Sequence, residues 1–139
     1  MRSALPTLSD INVYGSLDER NAAEHFLGKD LAQAEDLFRE SFSYYQEDLM
    51  WMGPRAFCYY AQAAVAYLLS SSADGDSDAA SSFCSVVEFQ LEHYRAAIQP
   101  SHSLLRDAIT SILTNFSRFD CDSEIDGEVA SRYRELQAN

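Results

Sequence analysis

Apolar residues recur along most of this chain at helical spacing. The most regular run is Phe83, Val87, Leu91, Tyr94 and Ile98, stepping +4, +4, +3, +4. It predicts a helix from about Asp78 that Pro100 ends. Leu105, Ile109, Ile112, Phe116 and Phe119 then step +4, +3, +4, +3 and predict a second helix behind a Ser101 or Ser103 cap. Upstream, Leu31, Ala34, Leu37 and Phe38 mark a helix capped by Asp30 after a Gly28 stop, with Glu35 and Arg39 one turn apart on its wet side. This helix is expected to run on through Tyr44 and Tyr45 towards Trp51. Gly53-Pro54 is the clearest punctuation, because proline at the first helical position gives up no hydrogen bond. The helix it opens should reach about Ser70, with Phe57, Ala61, Ala64, Val65 and Leu68 on one face and Tyr60 and Tyr67 on the flanks. No charge occurs from Ala56 to Ala73, so this helix is expected to be the most buried. Shorter patterns predict a helix over 18–27, carrying Ala22, Ala23, Phe26 and Leu27. Another, behind Ser123, carries Ile125, Val129, Tyr133 and Leu136.

These stripes, joined by short connectors, predict an all-α fold: an antiparallel helical bundle of five to six helices with a short extended N-terminal arm. Residues 1–17 form the arm, in which Ile11 and Val13 alternate, and residues 18–139 a single helical domain. A length of 139 residues suits one domain. At 47% hydrophobic residues the chain has enough apolar surface for a core without metal or disulfide support.

Charge narrows the partners. With 22 acidic against 10 basic side chains the formal net charge is -12, which argues against direct nucleic-acid binding and against an anionic membrane surface. The opposite sign favours a basic protein partner, since complementary charge speeds encounter. No signal-peptide core or membrane-length apolar run is visible, and the cytoplasm is the expected compartment. Cys58, Cys84 and Cys121 are odd in number and lack paired spacing, so they are expected as small core residues.

The densest segment is Tyr44-Tyr45-Gln46-Glu47-Asp48-Leu49-Met50-Trp51-Met52-Gly53-Pro54-Arg55. Arg55 stands at the second position of a helix, where the dipole disfavours a cation, so it should have a partner; Glu47 and Asp48 are the nearest carboxylates in sequence. Two roles fit the segment. It is a staple, with Trp51 and Met50 closing one end of the bundle, or it is a patch of Glu47, Asp48, Trp51 and Arg55 with Trp51 as anchor. Gly28-Lys29, Ala34-Glu35-Asp36-Leu37-Phe38 and Tyr45-Gln46-Glu47-Asp48-Leu49-Met50-Trp51-Met52-Gly53 resemble a family of small bacterial helical proteins with no assigned activity. The resemblance runs from about His25 to the C-terminal helix. It implies a bacterial source and transfers no functional residue.

Enzyme signatures are missing from the sequence. His25, His93 and His102 have neither E-x-x-H nor H-E-x-x-H spacing, and the glycines form no phosphate-cradling loop. No cofactor or metal is implied, and each histidine reads as an ordinary surface or helix-end residue. The expectation is a non-catalytic acidic interaction protein, of the inhibitor, immunity or antidefence kind. The competing expectation is a ligand-binding or enzymatic bundle with a site near Trp51. Asp122-Ser123-Glu124-Ile125-Asp126-Gly127 imitates the start of a calcium loop, but Tyr133 stands where the bidentate glutamate is needed. Calcium added at pH 7 should therefore leave helicity and melting temperature unchanged; a rise of several degrees would show that the loop binds it.

Overall fold

The computed structural model describes residues 4–119 and 127–138. Most of the described residues are helical and none lies in a strand. In chain order the α-helices are α1 (Leu8–Ile11), α2 (Leu17–Phe26), α3 (Leu31–Trp51), α4 (Pro54–Leu69), α5 (Ser77–Tyr94), α6 (His102–Thr114) and α7 (Gly127–Ala138), with 3-10 turns at Ser71–Ala73, Gln99–Ser101 and Phe116–Phe119. No helix among the described residues is long and apolar enough to cross a membrane.

Helix α4 begins with Pro54 at its first turn, as the sequence predicts. It is buried on nearly every side, because the flanking Tyr60 and Tyr67 are covered along with Phe57, Ala61, Ala64, Val65 and Leu68. Its neighbours include α3, α6, α1 and α5. Asp30 caps α3 by accepting from the Gln33 N–H at 2.9 Å, while Gln33 returns a bond to the Asp30 N–H. Ser41, at φ -163° and ψ 93°, leaves helical geometry and kinks α3, and its hydroxyl accepts from the Tyr44 N–H where the helix resumes. Cys58 is half-buried, Cys84 is buried, and both are free; burial pushes the Cys84 thiol up to about 12.

The structure corrects several expectations. The arm is not simply extended. Thr7 and Asp10 cap each other, with the Thr7 N–H donating to Asp10 Oδ2 at 2.8 Å, and this winds residues 8–11 into a helical turn. Ile11 is buried by that turn and Val13 exposed. With this turn, the α-helices among the described residues number seven rather than five or six. Ile98 lies beyond the end of α5 yet is fully buried in the connection to α6. The helix predicted through Phe116 and Phe119 stops at Thr114. Asn115 leaves helical geometry at φ -117° and ψ 34°, and the two phenylalanines fall in a 3-10 turn. Of the last stripe, Val129, Tyr133 and Leu136 lie on α7, with Tyr133 buried. Ile125, the Ser123 cap, Cys121 and all of the calcium-like segment except Gly127 lie outside the described residues.

The arm is tied down at two points. The carboxylate of Glu19 accepts from the Val13 N–H at 2.7 Å, from the Tyr14 and Ser16 N–H groups, and from the Ser16 hydroxyl. Burial raises the Glu19 pKa, but these four donors outweigh it and hold the group below its ordinary value. The second tie is the Gly53 N–H, which donates to the Ile11 carbonyl at 3.0 Å. A Cβ built on Gly53 would stand 2.3 Å from the Asp10 carbonyl oxygen and 2.5 Å from Val13 Cγ2. Gly53→Ala should therefore displace the arm and destabilise the fold by about 1–3 kcal/mol, measured by chemical denaturation.

Candidate interaction surface

The second half of α3 carries the candidate residues. Tyr44, Glu47 and Trp51 stand at i, i+3 and i+7, so they form one ridge along the helix. All three are exposed, Tyr44 to 57% and Trp51 to 38%. Trp51 stands edge-on to Phe89 of α5, ring centroids 4.8 Å apart, and Phe89 packs on His93 at 4.3 Å. The aromatic row continues from His93 to Tyr94, beside Tyr14 of the arm. Burial first, and the Tyr14 hydroxyl second, push Tyr94 up to about 12. Tyr14 itself is exposed.

Asp48 belongs to a different face. It turns inward to α2, where Oδ2 accepts from Nδ1 of His25 at 2.6 Å; their side chains are 8% and 27% exposed. The His25 ring lies 5.5 Å from both the Tyr44 and the Tyr45 rings. A carboxylate holding Nδ1–H fixes the tautomer and leaves Nε2 as the second functional nitrogen. The pair thus locks α2 to α3 and positions an imidazole beside exposed Tyr44. Burial raises the Asp48 pKa and the neighbouring Glu47 and Asp18 carboxylates add to this, while the bond to His25 and its charge act in the opposite sense.

Arg55 is 82% exposed at the side chain, and its ion-pair partner is Asp10 of the arm, Nε to Oδ1 3.9 Å, rather than Glu47 or Asp48. An exposed pair at that distance contributes little to stability. The four sequence candidates therefore separate: Glu47 and Trp51 share the ridge, Asp48 faces α2, and Arg55 faces the arm. The residues that close the core at this end are Leu49 and Met52, both fully buried, while Met50 is half-buried and Trp51 lies outside. Gln90 of α5 completes the closure by donating to the Met50 and Met52 carbonyls at 2.9 and 3.2 Å.

Sequence reasoning missed His25, Phe89 and Tyr44. The signal for Tyr44 was its i, i+7 relation to Trp51. For His25 it was a place in the last turn of a helix, where a basic side chain suits the dipole. Phe89 sits off the stripe through Val87 and Leu91 and gave no signal. Among the described residues no group of three or more His, Cys, Asp or Glu side chains is arranged to hold a metal ion. No protein-family model, curated protein or solved structure matches the chain.

The raised Asp48 pKa fixes the sign of a pH effect. The native state favours the protonated form, so the contribution is full below the ordinary aspartate value of about 3.9 and is lost as pH rises through the raised value. Asp48→Asn keeps an acceptor for His25 without the buried charge. Its melting temperature should match or exceed that of the parent at pH 7, with the difference shrinking towards pH 4. Asp48→Ala leaves the imidazole N–H unpaired and should cost about 1–3 kcal/mol.

Proposed function

We propose that this chain is a non-catalytic bacterial interaction protein, acting in the cytoplasm, that captures a basic protein partner in the manner of an inhibitor, immunity or antidefence protein. The observation that carries this proposal is the exposed ridge of Tyr44, Glu47 and Trp51 on α3. Aromatic side chains that pack on a rigid helix lose little entropy on binding and are common interface anchors. A carboxylate between two of them suits a lysine or arginine on the partner, which can pair with Glu47 and lie against either ring. The net charge of -12 supports the same sign of partner through long-range attraction. The proposal includes an antiparallel bundle as the scaffold: Met52 and Gly53 alone separate α3 from α4, which supports a reversal of direction there.

Capture by tagged protein, washed at rising salt, tests this. A basic protein should be retained at low salt, released as salt screens the charges, and lost with Trp51→Ala, Tyr44→Ala or Glu47→Lys. Arg55→Ala, away from the ridge, should retain it. Because Trp51 is only partly covered by Phe89, Trp51→Ala should cost about 1–2 kcal/mol of stability rather than the larger loss of a buried tryptophan. Undiminished capture by both aromatic variants would overturn the proposal.

A further inference from the structure

Trp51 is the only tryptophan of the chain, and its surroundings span two helices. The planes of Trp51 and Phe89 meet at 64°, so the rings do not stack, and Phe89 leaves at least one indole face clear of itself. The indole keeps 38% of its surface exposed. Phe89 packs in turn on His93, one turn further along α5 and exposed. Carboxylates border this pair of rings on both helices. Glu47 precedes Trp51 by one turn of α3, and Glu92 follows Phe89 by three residues on α5, so each shares a face with its ring. Both carboxylates are exposed, and neither pairs with a cation among the described residues. The two helices are fixed against each other at this point, because Gln90 of α5 donates to the Met50 and Met52 carbonyls at 2.9 and 3.2 Å. Rings and carboxylates therefore form a preset strip, and binding need not order it.

The combination selects among cations. A carboxylate by itself discriminates little between lysine and arginine, and a lysine ammonium is a compact, strongly hydrated point charge. A guanidinium is flat and more weakly hydrated. It can lie on an aromatic face while the N–H groups in its plane still reach a carboxylate beside the ring. One guanidinium can thus use Trp51 and Glu47 together. Charge also decides against the other occupants. A second copy of this chain would bring its own net charge of -12 to the contact, and an anionic ligand would meet Glu47 and Glu92.

We infer that this strip recognises an arginine-rich, rather than a lysine-rich, segment of the basic partner. The inference rests on the ridge proposed above and extends it onto α5. One guanidinium stacks on Trp51 and pairs with Glu47, and its neighbour pairs with Glu92 beside Phe89 and His93. Tetra-arginine amide and tetra-lysine amide carry equal charge, and titrating each into the full chain while following Trp51 fluorescence tests this. A saturable change is expected with the arginine peptide, at a Kd about threefold or more below that of the lysine peptide. Glu92 is exposed, so Glu92→Gln should keep the parental melting temperature. It should weaken the arginine peptide about threefold beyond the loss caused by Asp107→Asn, an equal change of charge on α6. Trp51→Leu, shown to be folded by circular dichroism and titrated by calorimetry, should bind both peptides alike. Equal affinity of the parent for the two peptides, equal losses in Glu92→Gln and Asp107→Asn, or an arginine preference kept by Trp51→Leu would each overturn the inference. Equal affinity alongside retained, salt-sensitive capture of a basic protein would overturn it while upholding the ridge, so the two failures are distinguishable.

Discussion

Everything in this fold is arranged around the need to cover α4. A helix without a charged side chain from Ala56 to its end exposes apolar surface in all directions, and a single partner helix shields only one stripe. Each large side chain that α4 sends outward therefore demands a neighbour. Tyr60 meets Phe26 of α2 at 5.0 Å between rings, and Tyr67 stacks on Phe42 of α3 at 5.8 Å. The arm covers the beginning of the helix, and α6 lies along another side. Removing any one of these elements would open the core itself, so the fold should behave as one cooperative unit.

The polar side chains inside the molecule follow a common logic. A helix ends with carbonyls that have no partner within the helix. Here the ends of α2, α3 and α4 are each satisfied by one side chain from a distant part of the chain. The Tyr60 hydroxyl donates to the Phe26 and Lys29 carbonyls at 2.7 and 2.9 Å. Gln90 serves the end of α3, and Arg118 donates to the Leu68 and Ser70 carbonyls at 2.8 and 2.5 Å at the end of α4 while pairing with Asp74. Tyr133 of α7 likewise donates to the Ala80 carbonyl on α5. These bonds fix where one helix ends against the flank of another, which apolar packing alone leaves free to slide.

Much of the helical content was legible because the relevant signals are local. The Asp30 cap, the Gly28 stop and Pro54 act within one turn of chain, and the structure uses all three. The errors arose where a local pattern met a tertiary demand. Ile11 and Val13 alternate like a strand, yet no second strand was available and the Thr7–Asp10 cap favoured a turn. Phe116 and Phe119 keep the helical step across a real break, because two phenylalanines in a 3-10 turn can reach the same core. The candidate surface was half legible for the same reason. Glu47 and Trp51 could be grouped by spacing on one helix, but only folding brings His25 to Asp48, and Asp10 to Arg55, across 23 and 45 positions.

The attachment of the arm has a consequence for how the chain could be divided. Its contact with the body is a seat of fixed shape: a slot for Ile11, a backbone bond to a residue that tolerates no side chain, and a carboxylate gripping the N–H groups of Val13, Tyr14 and Ser16. None of these elements requires the arm and the body to be covalently joined. A chain cut between Ser16 and Leu17, where α2 begins, would leave Glu19 on one fragment and all four of its donors on the other. The two pieces would carry matching halves of one contact, so the arm supplied separately should restore the cover that its loss removes from the body.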